Sequence, residues 1–276
     1  MVKFDKLNPN ISSPVAIPVY GEFITARWGY EALAVNQFIY NDYERPFYPY
    51  EKEMSKAVFK KDYWNVEIKG SLDNIINSLE KGVKDKEFSD DLLLVSNEIN
   101  KQLILTPDIK FAYADQLTPE RITADIANAA ISYVESVRKL YVNIYNDASN
   151  RKEALKSKLT GENLQRFLKL RDSYFNKSLE EFVKDKNETK NIIVYKGELL
   201  QKLDPVFMDS KYNFIRAHFY APQKQVFGMR VDTYIVNVVV LWVMTFFLYL
   251  ALYFRLLKKL LDSGEALFGK KKKIVD

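Results

Sequence analysis

The stretch that most constrains the fold of this chain is an uncharged apolar run near its C-terminus. Residues 234–254 read YIVNVVVLWVMTFFLYLALYF and contain no charged residue, no Gly and no Pro. A helix of this length, at about 1.5 Å per residue, measures roughly 31 Å, which matches the hydrocarbon core of a bilayer. Helices in soluble cores rarely run so far without a charge. The run therefore predicts a single transmembrane helix over residues 231–254.

The charges that follow the run predict its orientation. Residues 255–276 contain seven basic and three acidic residues, a net charge of +4 out of +5 for the whole chain. Because cytoplasmic segments carry the excess of Lys and Arg, the tail is expected in the cytoplasm and the N-terminal part outside it, at the cytoplasmic (inner) membrane. The residues that form this topology signal are Arg255, Lys258, Lys259, Lys270, Lys271, Lys272 and Lys273.

This orientation requires a way to move the N-terminal part across the membrane. The opening residues MVKFDKLNPN contain no apolar signal segment, and no other run before residue 234 is long and apolar enough to span. Two alternatives remain open at this point. The chain is either tail-anchored with its domain in the cytosol, or it continues a longer polypeptide that supplies an earlier span.

Composition excludes several classes of function. The chain has no Cys, which rules out disulfides and thiolate metal sites, and its only histidine, His218, has no spaced companion that would suggest a metal or catalytic site. Residues 1–229 carry a net charge of only about +1, which argues against nucleic-acid binding. Gly264 to Lys270 match the letters of a phosphate-binding loop, but Lys271 stands where Ser or Thr should hold Mg²⁺. No catalytic, cofactor or metal site is predicted on this chain.

Periodicity predicts a mainly α fold. Ile24, Trp28, Ala32, Val35 and Ile39 recur at helical spacing, and the helix is apolar nearly all round, so it is buried or lies against a membrane. Further helices are predicted at 71–82, at 88–104 with Ser89 as N-cap, from Thr118-Pro119-Glu120 to Ile144, and at 164–182. The polar residues 146–151 separate the last two, which suggests an antiparallel helical hairpin.

The remaining segments complete a division into five parts. Residues 191–203 fit either a strand or a helix, and the aromatic and basic residues 211–230 suggest a connecting segment with an interfacial helix. The predicted parts are a connector with an interfacial helix (1–43), a helical extracytoplasmic domain (44–210), a juxtamembrane segment (211–230), the transmembrane helix (231–254) and a short basic tail (255–276).

Two polar residues interrupt the apolar run. Asn237 and Thr245 fall within the same half of the helix. Because a polar side chain in lipid gains from a neighbouring helix, this half is expected to face protein rather than lipid.

Two stretches resemble exporters of the white/ABCG type. ARWGYEALAVNQF, residues 26–38, is similar to the segment after the fifth membrane helix of that family. RAHFYAPQKQVFG, residues 216–228, is similar to the run into the final membrane helix of its long Bacteroidetes-type members. The residues that carry the resemblance are Arg27, Trp28, Tyr30, Glu31, Ala32, Leu33, Asn36, Phe38, Arg216, His218, Phe219, Tyr220, Pro222 and Gly228.

The resemblance implies the last extracytoplasmic domain and the sixth span of such an exporter. The family places an ATP-binding domain and five spans before this point, so ATP and Mg²⁺ would be held there, and the transporter would be a homodimer or heterodimer. The fifth span would deliver the domain outside the membrane. The alternative function is a tail-anchored cytosolic helical adaptor; a free-standing enzyme has no supporting group of residues.

The basic tail leads to a prediction about topology. Neutralising Arg255, Lys258, Lys259 and Lys270 to Lys273 should weaken the preference for a cytoplasmic C-terminus. Reporter fusions at residue 276 measure this preference. An unchanged cytoplasmic signal would mean that other spans, not this tail, determine the topology.

Overall fold

The computed structural model describes residues 17–210, 214–256 and 258–259, and the predicted mainly α fold is confirmed. The helices are α1 (Val19–Glu22), α2 (Thr25–Ile39), α3 (Tyr48–Val58), α4 (Asn65–Lys81), α5 (Lys86–Leu105), α6 (Ala124–Ser157), α7 (Gly161–Tyr174), α8 (Lys177–Val183) and α9 (Thr233–Tyr253). The strands are β1 (Ile192–Tyr195), β2 (Glu198–Gln201), β3 (Gln223–Val226) and β4 (Met229–Asp232).

The centre of the domain is a group of three long helical elements. A π-helical segment, Phe59–Trp64, joins α3 to α4, so that residues 48–81 form one continuous helical element. The 34-residue helix α6 runs antiparallel to it, with ion pairs from Glu53 to Arg151 at one end and from Lys69 to Glu135 towards the other. The fully buried side chains of Ile68, Leu72 and Ile75 recur at helical spacing and form the core against α5 and α6.

A helical hairpin is present, but not where the sequence suggested it. Helices α4 and α5 form it, joined by a short turn in which Gly82 takes the left-handed conformation (φ 67°) that ends many helices. The predicted break at 146–151 was wrong, because α6 continues through it to Ser157. This polar segment contains no Gly or Pro, Ala148 is fully buried in it, and Arg151 pairs with Glu53 of α3. Helix α7, the predicted second arm, has no buried residue.

Two predicted helix starts also need correction. The N-cap of α5 is Asp85, whose side chain accepts a hydrogen bond from the backbone N–H of Phe88, and not Ser89. Helix α6 begins after Thr123, whose hydroxyl accepts from the N–H of Ile126, whereas Thr118 lies in a preceding turn. In both cases the cap is a residue with a short polar side chain and extended backbone that directly precedes the first helical residue.

Two β-hairpins appear in segments that the sequence left open or assigned differently. Strands β1 and β2 pair antiparallel over residues 192–201, which settles the open choice between strand and helix in favour of strand. Strands β3 and β4 pair over residues 223–232, so the interfacial helix predicted within 211–230 was wrong for the residues described there. The turn of this hairpin is Phe227-Gly228, with φ of 50° and 82°, the backbone that a two-residue hairpin turn needs.

Helix α9 follows β4 without a break. Among the described residues it is the one helix long and apolar enough to cross a membrane. It begins at Thr233, because Val231 and Asp232 belong to β4. After it Arg255, Lys258 and Lys259 are exposed, while Lys270 to Lys273 lie outside the described residues.

The corrected cap of α5 can be tested by substitution. Asp85→Ala should lower the free energy of unfolding by about 1 kcal/mol, because the N–H of Phe88 loses its acceptor at the helix start. Ser89→Ala is the matched control and should cost less. Denaturant unfolding of both variants in detergent compares them, and a larger loss for Ser89→Ala would contradict the assignment.

Candidate functional site

A group of buried polar side chains lies where α2, β3 and α9 meet. Arg27 and Glu31 come from α2, Lys224 comes from β3, and Asn237 comes from the second turn of α9. Their exposed fractions are 4%, 0%, 1% and 0%, respectively. We call these four residues the junction cluster. Charged residues are almost never so fully buried unless they are paired, so the geometry of the pairing decides what the cluster does.

One carboxylate oxygen is the centre of the junction cluster. Oε2 of Glu31 accepts from Nζ of Lys224 at 2.7 Å, from Nδ2 of Asn237 at 2.9 Å and from Nη1 of Arg27 at 3.3 Å. The Lys224 ammonium also donates to Oδ1 of Asn237 at 2.8 Å. The other oxygen of Glu31, Oε1, is buried and has no hydrogen-bond partner among the described residues. The cluster therefore ties three separate elements to one buried atom.

Trp28 completes the surroundings of the two cations. The guanidinium carbon of Arg27 lies 3.8 Å from the centre of a Trp28 ring, and Nζ of Lys224 lies 4.4 Å from one. Cations at such distances are attracted to the indole face. The indole N–H donates to the carbonyl oxygen of Glu22 at 2.8 Å, and the carboxylate of Glu22 pairs with Arg27. Arg27 and Lys224 thus face two carboxylates, and Arg216 also contacts the Glu22 carboxylate at 3.9 Å.

Burial and pairing oppose each other at Lys224. Burial lowers the pKa of the Lys224 ammonium, and the neighbouring Glu31 carboxylate raises it again. Removing two ions from water costs several kcal/mol per ion, which their attraction offsets only when the hydrogen bonds are well formed. The junction cluster is therefore specific for one arrangement of α2 and α9, because any sliding would leave a buried charge without its partner.

Helix α2 runs antiparallel to α9. Burial and the nearby carboxylate of Asp232, just before α9, raise the pKa of Tyr40, just after α2. Further along, Glu31 contacts Asn237, and Gly29 lies beside Leu241, where an added Cβ would be 3.9 Å from a methyl carbon. The N-terminal end of α2 therefore lies alongside the apolar part of α9.

The structure brings most of the two resembling stretches together around this contact. The Tyr30 ring stacks on Phe219 (6.4 Å, 9° between planes), and the Phe219 and Tyr220 rings meet edge to face. Buried Phe38 contacts Phe207, whereas Leu33 is 66% exposed. The remaining members are also placed: Ala32 and Pro222 are buried, Asn36 is half-buried, and Gly228 lies in the hairpin turn.

Two basic residues of the second stretch have structural partners. The guanidinium of Arg216 donates to the carbonyl oxygen of Ile17 at 2.8 Å. Nε2 of His218 donates to the carbonyl oxygen of Pro205 at 2.9 Å, and burial lowers the pKa of the imidazole. Each contact joins separate parts of the chain.

The two polar residues of α9 have different environments. Asn237 is fully buried and donates to the carbonyl oxygen of Trp28 at 3.0 Å in addition to its contact with Glu31. Thr245 is exposed, and its hydroxyl donates to the carbonyl oxygen of Leu241 in the same helix. Within the described chain only Asn237 faces protein, so a contact of Thr245 with another helix stays a prediction.

Sequence reasoning missed two members of this region, Lys224 and Glu22. In the sequence, Lys224 is one of the basic residues that precede the apolar run. Its distance of thirteen residues from Asn237 has no helical or strand period, because the β3–β4 turn lies between them. Glu22 lies in the four-residue helix α1, which is too short for a periodic signal. That a hairpin buries a basic residue can be recognised only once the strand pairing is known.

A second ionic group joins the helical domain to α8. Lys184 contacts Glu180 at 2.9 Å and Glu51 of α3 at 3.3 Å, and Lys152 of α6 contacts Glu51 at 2.6 Å. Glu44 lies beside this group. The pKa of Glu44 is raised to about 7, chiefly by burial and also by the charges of Glu51 and Glu180, while Lys184 and Lys152 lower it.

Comparisons with protein families, with curated proteins and with solved structures found no match. In the part of the chain that the structure describes, no three His, Asp or Glu side chains are grouped so that they could hold a metal ion. The interpretation of function therefore depends on the geometry of the junction cluster and on the resemblance described above.

The junction cluster predicts strong coupling between its charges. Lys224→Met alone should cost about 3–5 kcal/mol of unfolding free energy, because Glu31 loses a paired cation in a buried site. The double variant Glu31→Gln/Lys224→Met should cost less than the two single losses together, by about 0.5–3 kcal/mol. Unfolding in detergent measures all three variants. Arg230→Met, an exposed charge on the same hairpin, is the control, and strict additivity would contradict the cluster.

The position of Glu44 predicts a pH dependence of stability. Its pKa in the folded protein, about 7, lies above the ordinary value of 4.5, so the folded state holds this proton more tightly than the unfolded chain. The stabilisation is complete below pH 4.5 and is lost as the pH rises through 7. Glu44→Gln should therefore add about 1–2 kcal/mol well above pH 7, after allowance for solvent screening, and change little below pH 4.5.

The control for this measurement is Glu120→Gln. Glu120 is exposed in the turn before α6, and its replacement should change the unfolding free energy by less than about 0.5 kcal/mol at either pH. Equal stabilisation by Glu44→Gln at both pH values would contradict the burial of an ionised carboxylate at this site.

Proposed function

We propose that this chain forms the last extracytoplasmic domain and the final span of the membrane subunit of an ABCG-like, ATP-driven exporter. The observation that carries the proposal is that the two resembling stretches, almost two hundred residues apart in sequence, form one packed unit. Trp28 and Glu31 of the first stretch contact Lys224 within the second, and Arg27 pairs with the same Glu31 carboxylate. Residues that act together in a family are expected to lie together in its fold.

The packed unit would connect the span to the external domain. The helical domain is attached to the residues that precede the hairpin, because the Tyr48 hydroxyl donates to the carbonyl oxygen of Val206 at 2.9 Å and Lys52 pairs with Asp209 at 2.5 Å. Phe38 of α2 packs on Phe207 in the same region. A movement of α9 would therefore carry α2 and the domain with it, as an external lid over a transport path requires.

The exposed surface of α9 supports contacts beyond this chain. Trp242, Phe247 and Leu252 are 72%, 65% and 77% exposed, and Phe23 at the start of α2 is 76% exposed. Such surfaces fit lipid and neighbouring spans rather than water. In the proposal, the partners are the lipid bilayer, the remaining spans and the ATP-binding domain of a homodimeric or heterodimeric transporter, with no nucleic acid.

The chemistry of transport would lie outside this chain. ATP and Mg²⁺ would be bound by the ATP-binding domain of the assembly, and residues 1–276 would contribute no catalytic group. The assembly would lie in the cytoplasmic membrane, with residues 44–210 outside and residues 255–276 in the cytoplasm. A tail-anchored cytosolic adaptor would use the same junction cluster but would place the domain on the opposite side.

Single cysteines distinguish the two functions, since the chain has no Cys of its own. Ser89→Cys, exposed at the start of α5, is introduced into the protein in its native membrane, and Asp276→Cys is the matched variant on the tail. A membrane-impermeant thiol reagent applied from outside should label position 89 but label position 276 only after permeabilisation. The reverse pattern would overturn the exporter in favour of the adaptor.

Transport itself is tested with the assembled protein. Glu31→Gln should reduce ATP-driven export at unchanged abundance, because α2 and α9 lose their ionic contact. Arg230→Gln should leave export unchanged. ATP turnover by the purified chain alone, free of contaminating ATPases, would contradict the proposal.

A further inference from the structure

Helix α7 and its flanks form an arm that the helical domain does not bury. We call residues 158–177 the α7 arm. None of the residues of α7, which forms most of this arm, is buried. Leu164, Tyr174 and Phe175 are 39%, 44% and 43% exposed. An isolated helix of this length is only marginally stable in water. Its apolar side chains therefore need a partner beyond the few contacts they make here.

The α7 arm also carries a basic surface. It contains five basic and two acidic residues, in contrast to the near-neutral charge of the N-terminal part as a whole. Arg166, Lys169 and Arg171 are all exposed. Basic side chains interleaved with exposed aromatic rings are typical of segments that lie on anionic lipid headgroups.

Aromatic contacts place the α7 arm beside the outer end of α9. The Tyr43 ring lies 5.1 Å from Phe167 and 6.1 Å from Phe175, so α7 is held against the turn that follows α2. Tyr43 is three residues from Tyr40, which is at most about 11 Å along the backbone. Tyr40 ends α2, which packs antiparallel against α9 with its C-terminal end towards the start of that helix at Thr233.

Helix α8 fixes the other end of the arm at the same level. Leu179 and Val183 of α8 pack against Val35 and Phe38 of α2, the half of α2 that lies next to the start of α9. Both ends of the arm are therefore attached to the part of the molecule where the apolar helix α9 begins and the helical domain ends. In a bilayer this is the depth of the headgroups.

We propose that the α7 arm lies on the headgroup layer of the membrane that α9 crosses, with its basic side chains on anionic lipid. The aromatic side chains of Tyr174 and Phe175 would sit at the boundary between headgroups and acyl chains. This proposal depends on α9 being a membrane span but not on export activity. It assigns the helical domain a second attachment to the bilayer, beside the span itself.

The test uses the full chain, purified in detergent and reconstituted into vesicles with a single fluorescent label. Ser173→Cys places the label on the exposed surface of α7, and Leu248→Cys places it on α9. Ser89→Cys is the control, because the α4–α5 hairpin places it near the far end of the helical element 48–81, which measures roughly 50 Å. Nitroxide groups on the lipid headgroups should quench the label at position 173 strongly and at position 89 weakly. Nitroxides on the acyl chains should quench the label at position 248.

The lipid composition tests the role of charge. Quenching at position 173 should be stronger in vesicles that contain phosphatidylglycerol than in vesicles of phosphatidylcholine alone, and should fall with added salt. Arg166→Gln/Lys169→Gln/Arg171→Gln should shift the ratio of bound to free arm by about fivefold per charge removed, which corresponds to about 1 kcal/mol each. The control Lys81→Gln/Lys86→Gln/Lys110→Gln removes three exposed charges elsewhere and should have no effect.

The outcomes separate this proposal from the assignment of the span. Quenching at position 248 without quenching at position 173 would overturn membrane binding by the arm and leave the span intact. No quenching at position 248 would overturn both. Equal quenching at positions 89 and 173, or a signal that depends on the density of protein in the vesicle, would replace the proposed lipid contact with non-specific adsorption or with a second copy of the chain.

Discussion

The contact between the Glu31 carboxylate and the Lys224 ammonium is the constraint on which the rest of the structure depends. A carboxylate with no exposed surface must be met by a cation. Arg27 of the same helix lies 3.3 Å away, and the closer cation, Lys224 at 2.7 Å, comes from another part of the chain. The β3–β4 hairpin delivers it, and the direct passage from β4 into α9 places Asn237 beside it. The ionic contact therefore fixes the position of α2 along α9, whereas apolar packing alone would allow the two helices to slide past each other.

The hairpin explains why a strand pair occurs in an otherwise helical chain. Side chains alternate between the two faces of a strand, so β3 can bury Lys224 while its neighbours Gln223 and Gln225 stay half-buried. A helix over residues 223–232 would instead distribute successive side chains around its axis. The Phe227-Gly228 turn then reverses the chain within two residues, and Thr233 donates both its N–H to Pro222 and its hydroxyl to Ala221. These bonds close the base of the hairpin at the point where α9 begins.

The sequence was most informative where one periodic signal dominated. The apolar run predicted α9 to within two residues at its start, and the apolar repeat from Ile24 to Ile39 predicted α2. It was least informative where structure depends on distant partners. Residues 146–151 look like a break because they are polar, yet ion pairs and buried Ala148 keep them helical. Likewise, Lys224 resembles a surface charge until the hairpin is known, so the sequence singled out Arg27, Glu31 and Asn237 for separate reasons but not the contacts that join them to Lys224.

The length of the helical element over residues 48–81 has a mechanical consequence. Its first residue, Tyr48, is attached close to α2, and it extends roughly 50 Å to Lys81. The antiparallel helix α6 braces it through Glu53 and Lys69, so the pair forms a stiff rod that is attached near α2 at one end. A tilt of about 10° about that end displaces the tip of such a rod by roughly 9 Å. A small change in the angle of attachment would therefore be amplified into a large displacement of the α4–α5 turn.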